Sequence, residues 1–125
     1  MTYTQIFPIL STADLPRLVD FYINAFDAVV SYRYPPQGEP GYVSLDLAGG
    51  HLGLGLDTTS AGAEVAQRAA LWVYADDCDE ALARLSAAGG TVLEEPADLP
   101  WGERVAKAAD PDGNVIHIGQ APISE

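Results

Sequence analysis

The strongest constraint on this chain is an internal repeat. Asp14 stands before a stripe of Leu15, Leu18, Val19, Tyr22 and Phe26 at helical spacing, with Pro16 in the first turn. A second stripe follows Asp76 or Asp77, runs through Cys78, Ala81, Leu82 and Leu85, and stops at Gly89-Gly90. The two patterns superpose at an offset of 63 residues. Each predicted helix is preceded by a short apolar strand, FPIL (7–10) or ALWVYA (70–75), and followed by three more strand-like segments. These are AVVSYRY (28–34), YVSLDL (42–47) and HLGLGL (51–56) in the first half, and TVLEEP (91–96), ERVAKAA (103–109) and NVIHIG (114–119) in the second. An order of strand, helix, strand, strand, strand performed twice predicts an α+β fold of two tandem βαβββ modules. They span about 1–57 and 68–120 of a single 1–125 domain, joined by the small and polar run TTSAGAEVAQ at 58–67.

Period-two alternation assigns the faces. Val43, Leu45 and Leu47 oppose Tyr42, Ser44 and Asp46; Leu71 and Val73 oppose Ala70, Trp72 and Tyr74; Ile116 and Ile118 oppose Val115, His117 and Gly119. One face is aliphatic throughout and suits the helices. The other mixes aromatics, small residues, an acid and both histidines, which is an odd choice for plain solvent. A mixed sheet curved around a groove, with helices on its outer face, accounts for both. In GGHLGLGLD (49–57), Leu52, Leu54 and Leu56 take the core face, leaving His51, Gly53 and Gly55 on the groove face. Glycine inside a strand marks a bulge or a close approach, so Gly53 and Gly55 are expected to be floor space for a ligand. AVVSYRY has no clear aliphatic side, which leaves the directions of Tyr32 and Tyr34 open.

Composition excludes several classes. Eighteen acidic residues against six basic ones give a net charge of -12, which repels phosphate backbones and anionic membranes, so neither nucleic acid nor a membrane is an expected partner. No run approaches the roughly 20 apolar residues of a membrane span, and MTYTQIFPIL lacks a basic region followed by an apolar one. The expectation is a soluble cytoplasmic protein. The lone cysteine, Cys78, reads as a small buried apolar residue. DPDG at 110–113 reads as a tight turn, with no phosphate-binding glycine loop or nucleophile–base pair elsewhere.

The paired modules, with Asp-Leu before the first helix, Asp-Phe-Tyr within it, Gly-Gly after the second and Asp-Pro-Asp-Gly before the last strand, resemble the vicinal-oxygen-chelate superfamily. That family includes glyoxalase I, extradiol dioxygenases and bleomycin-resistance proteins. The run PWGERVAKAADPDGNVIH looks most like the drug-binding, bleomycin-resistance branch. Catalytic members hold a divalent metal at four positions, which the resemblance carries onto Phe7, Gly53, Ala70 and His117. Only His117 is a metal-ligating type, where about three ligands are needed. A displaced site using His51 and Asp46 is conceivable, but the expectation is no metal and no cofactor.

The resemblance therefore implies a non-catalytic protein that binds and sequesters a bulky aromatic or cationic antibiotic. The alternative is a metal-dependent glyoxalase-like lyase, thiol transferase or extradiol dioxygenase. Candidate ligand-binding residues are Phe7, Tyr42, Asp46, His51, Gly53, Gly55, Trp72, Trp101 and His117. Phe7, Tyr42, Trp72 and Trp101 would supply stacking surfaces. Trp72 could equally fill a dimer interface, Trp101 could simply anchor its loop, and Glu103 would flank the groove entrance if Trp101 lines it. A homodimer with grooves at the interface is expected, since the aromatic face would leave much apolar surface on a monomer.

Overall fold

A computed structural model of the chain describes residues 1–2, 5–58 and 69–122. Most of the linker expected at 58–67 lies outside the described residues. The first module runs β1 (Ile9–Thr12), α1 (Leu15–Phe26), β2 (Val29–Tyr34), β3 (Tyr42–Leu47) and β4 (Gly50–Leu56). The second runs β5 (Leu71–Tyr74), α2 (Cys78–Ala87), β6 (Thr91–Asp98), β7 (Arg104–Ala109) and β8 (Val115–Gln120). Each forms its own four-stranded mixed sheet, in the orders β1-β4-β3-β2 and β5-β8-β7-β6, with the first strand parallel to the last and the other pairs antiparallel.

Both helices begin where a carboxylate can satisfy a free backbone N–H. Asp14 accepts from the Arg17 N–H at 3.2 Å, and Asp77 rather than Asp76 accepts from the Glu80 N–H at 3.1 Å. Helix α1 stops at Asp27, whose left-handed backbone (φ 57°) sends its own N–H back to the Ile23 carbonyl and the Ala28 N–H to the Tyr22 carbonyl. Arg84 of α2 then grips the Asp27 carboxylate at 2.8 Å. That guanidinium holds the Asp27 carboxyl below the usual carboxylate range.

The helices share one core with the aliphatic faces of both sheets. Leu18, Phe21 and Tyr22 meet Leu82 and Leu85, with Leu45 and Leu54 from the first sheet and Ile116 and Ile118 from the second. Burying each leucine or isoleucine contributes about 1.5–3 kcal/mol. Leu52 and Leu54 reach this core as the alternation requires, whereas Leu56, at the end of β4, is 46% exposed. Cys78 is fully buried, donating its thiol hydrogen to the Ile118 carbonyl at 3.4 Å, and desolvation raises its pKa.

A polar lock ties the modules together. The Asp110 carboxylate, 2% exposed, accepts from the Tyr22 hydroxyl at 2.9 Å, the Asn114 side-chain amide at 2.8 Å and the backbone N–H groups of Asp112 and Asn114 at 2.9 Å each. The DPDG segment is thus a turn, closed through Gly113 (φ 89°). Arg17 of α1 holds its Asp112 at 2.8 Å. Burial, and then the Asp110 charge, drive the Tyr22 hydroxyl far above its ordinary pKa. Tyr22 therefore remains a neutral donor.

Candidate functional site

The face of each sheet turned away from the helices follows from strand register, because directly paired residues share a face. In the first sheet, Ile9 pairs with Gly53, Gly53 with Ser44 and Ser44 with Tyr32; one step along, Gly55 pairs with Tyr42 and Tyr42 with Tyr34. This open face carries Ile9, Gly53, Gly55, Ser44 and three tyrosines, with His51 opposite Asp46 at its end. It also settles Tyr32 and Tyr34. A bulge at Ser31 puts Val30 opposite core-facing Leu45 and Tyr32 opposite Ser44, so residues two apart point to opposite faces. In the second sheet the open face carries Trp72 opposite His117, His117 opposite Lys107, and Tyr74 opposite Gly119.

The positions that correspond between the modules are Ile9 with Gly53, and Trp72 with His117. Phe7 and Ala70 of the expected quartet each stand two residues before the directly paired Ile9 and Trp72. Phe7 and Ala70 lie outside β1 and β5, because Pro8 precedes the first strand and only its carbonyl joins the ladder, accepting from the Gly53 N–H at 2.9 Å. A shift of two preserves the face but changes the neighbour. Neither the expected quartet of Phe7, Gly53, Ala70 and His117 nor the directly paired set of Ile9, Gly53, Trp72 and His117 fits a divalent metal. An isoleucine, a glycine and an indole supply no ligand atom, leaving one imidazole where about three His or carboxylate ligands are needed. His51 and Asp46 do not complete a displaced site, since they bond each other and, among the described residues, no cluster of three or more His, Cys, Asp or Glu could hold an ion.

Gly53 is not bare floor. A Cβ there would lie 2.5 Å from the Tyr42 hydroxyl and 3.0 Å from Ile9, so the tyrosine of the neighbouring strand leans across it. The glycine leaves room for a side chain of the protein itself. Gly55 has nothing nearer than an Ile9 methyl at 4.0 Å and does leave open space. In the second sheet Gly119 plays the covered part, with the Trp72 indole nitrogen 2.9 Å and a Tyr74 ring carbon 3.1 Å from where a Cβ would be.

Trp72 stacks on His117 with ring centroids 5.2 Å apart and planes 21° from parallel, and meets Tyr74 at 5.9 Å. Trp101, 64% exposed, donates its indole N–H to Glu103 at 2.7 Å. Glu103 also accepts from the Tyr74 hydroxyl, and that bond raises the Tyr74 pKa. Trp101, Glu103, Tyr74, Trp72 and His117 thus form one chain of contacts. At the junction of the modules, a recess of about 170 Å³ is lined by Pro8, Leu47, His51, Leu52, Leu71 and Trp72, among others. It brings His51 of β4 beside Trp72 of β5. The nine expected site residues therefore divide into a first-sheet group of Tyr42, Asp46, His51, Gly53 and Gly55 and a second-sheet group of Trp72, Trp101 and His117. Phe7 stands outside both sheets. Tyr74 and Lys107 are open-face residues outside the expected nine, as are Ile9, Tyr32, Tyr34 and Ser44. The signal for Tyr74 and Lys107 was parity, since each lies two residues from another residue of that face.

The family model of the Glyoxalase/Bleomycin resistance protein/Dioxygenase superfamily matches residues 4–118, and the chain belongs to that superfamily. An uncharacterized protein of Mycobacterium bovis is 31% identical over 130 aligned positions, covering 94% of this chain and 83% of that protein. Among solved structures, TioX from Micromonospora sp. ML1 aligns with a TM-score of 0.74 at 24% identity, covering 98% of this chain and 99% of its own. A glyoxalase-related enzyme from Fulvimarina pelagi aligns at 0.76 and 24%, covering 98% and 94%. At those identities the structural likeness speaks for the fold alone. No described helix is long and apolar enough to cross a membrane.

Proposed function

We propose that this chain is a non-catalytic binding protein that sequesters a bulky, flat aromatic natural product, an antibiotic among them, in the cytoplasm. The observation that carries this reading is the quartet of Ile9, Gly53, Trp72 and His117. On the open faces of its two sheets this chain presents an indole stacked on an imidazole, and an apolar residue paired with a glycine. Such a surface offers a ring a large contact area at low entropic cost and offers a metal one ligand. The net charge of -12 favours a ligand with a cationic group over an anionic one.

A second copy of the chain completes the groove in this reading. Ile9, Tyr32, Tyr34, Trp72, Tyr74 and Trp101 are all exposed, and β2 is an edge strand exposed along its whole length with no proline or lysine to guard it. Sedimentation at micromolar concentration is expected to show a dimer, and a monomer would count against this arrangement.

The test of binding is a thermal-shift screen of planar aromatic antibiotics with and without chelator. A ligand present at about 100 times its Kd stabilises the fold by about 2.7 kcal/mol. That shift is expected to be the same in chelator, and a shift that requires added divalent metal would favour the metalloenzyme reading instead.

A further inference from the structure

From the recess at the module junction, we infer that the ligand enters as a phenol: a fused aromatic ring lies against Trp72 and its hydroxyl donates to His51. This deepens the binding reading above and rests on it. The walls, Pro8, Leu47, Leu52, Leu71, Trp72 and Val73, are apolar apart from the indole edge, and His51 contributes the imidazole. At about 170 Å³ the recess is smaller than the roughly 300–1,000 Å³ of a site that encloses a drug-sized molecule, so it receives one end of a larger ligand.

The chemistry of that end is set by Asp46. Its carboxylate lies 2.5 Å from Nδ1 of His51, directly across the β3–β4 ladder. A carboxylate only accepts, so when the ring is neutral its proton sits on Nδ1 and is donated to Asp46. Nε2 is then the ring's one free polar atom, with a lone pair and no hydrogen. It accepts an O–H and rejects groups that only accept, such as an ether or a ketone. A ligand that covers this half-exposed acceptor and satisfies it is favoured over an isostere that covers it and cannot.

Calorimetric titration with three probes of nearly one shape tests this: 2-naphthol, naphthalene and 2-methoxynaphthalene. The wild-type protein is expected to bind 2-naphthol at least tenfold more tightly than the other two. His51→Ala is expected to remove that preference, so that 2-naphthol and naphthalene bind the variant within about twofold of each other. Trp72→Ala is expected to weaken all three in proportion. Asp46→Asn keeps the shape but can donate to Nδ1, which moves the imidazole proton to Nε2, so the preference for 2-naphthol over 2-methoxynaphthalene is expected to shrink severalfold. Equal binding of 2-naphthol and naphthalene by the wild type, or a preference that survives His51→Ala, would overturn the phenol inference while leaving the aromatic-binding reading intact. Failure of all three probes to bind the wild type would overturn both. His51 and Asp46 are exposed and outside the core, and matching melting temperatures would show that the variants fold.

Discussion

The two modules share a frame and differ in how they fill it. In the first, the glycine of the open face is covered from the side, by Tyr42 of the neighbouring strand, and its partner across the parallel ladder is an isoleucine. In the second, the cover comes from the first strand itself, where Trp72 and Tyr74 lie over Gly119 and the indole stacks on His117. The turns that feed the last strands differ in the same way. The β3–β4 turn is made by backbone alone, with Ala48 at φ 50° and Gly49 at φ 80°. The β7–β8 turn is longer and is held by Asp110, Tyr22 and Arg17, two of which belong to the other module's helix. The frame fixes positions, and local side chains decide whether a position is a ligand-binding surface, a packing surface or a lock.

The turn contrast gives the largest effect. Asp110→Ala removes the acceptor of four hydrogen bonds and strands the buried Tyr22 hydroxyl, so it should cost about 3 kcal/mol or more in denaturant unfolding. A loss under about 1 kcal/mol would mean that the lock is ornamental. The glycines come next. Gly119→Ala pushes into two rings at once and should cost about 1–2 kcal/mol, as overpacking does. Gly53→Ala should cost less than about 1 kcal/mol, because the nearest atom is the tip of a tyrosine that can swing and the next belongs to the exposed side chain of Ile9. If the two cost the same, the difference in covering is not energetic.

On the first module's side, Ala48→Gly relieves a left-handed alanine and should add about 1 kcal/mol to stability, measured the same way. The smallest effect is in acid. Arg104 holds Asp79 at 2.8 Å and lowers the Asp79 pKa, and Arg84 lowers that of Asp27. A carboxyl whose folded pKa lies below its unfolded value of about 3.9 stabilises the fold above that pH and loses the contribution as pH falls through the folded value. Arg104→Met should therefore flatten the pH dependence of the melting temperature below about pH 4, and an unchanged acid limb would contradict the pairing.

Much of this was legible in the sequence. The helices declare themselves through Asp14, through Asp76 or Asp77, and through the apolar stripes, and the 63-residue offset makes the fold a repeat on the sequence alone. Strand parity also placed Trp72, His117, Gly53 and Asp46 on the open face. Register was not legible. FPIL is apolar at every position, so nothing in it says that pairing begins at Ile9 rather than Phe7. The bulge at Ser31 breaks the alternation of β2, which is why Tyr32 and Tyr34 had no readable direction. The cover over Gly53 depends on a diagonal lean by Tyr42, a residue paired with Gly55, and no one-dimensional pattern encodes that.

Among the described residues the open faces carry His117, and His51 paired with Asp46, but no set of three metal ligands. Elemental analysis of the protein, expressed with divalent metals supplied and then desalted, tests this directly. Phe7, Gly53 and Ala70 at three of the four expected positions, with Ile9 and Trp72 at the directly paired ones, predict Zn, Fe, Mn and Ni each far below one equivalent per chain, with a melting temperature unmoved by chelator. A metal near one equivalent per chain, lost together with stability on chelation, would contradict the account.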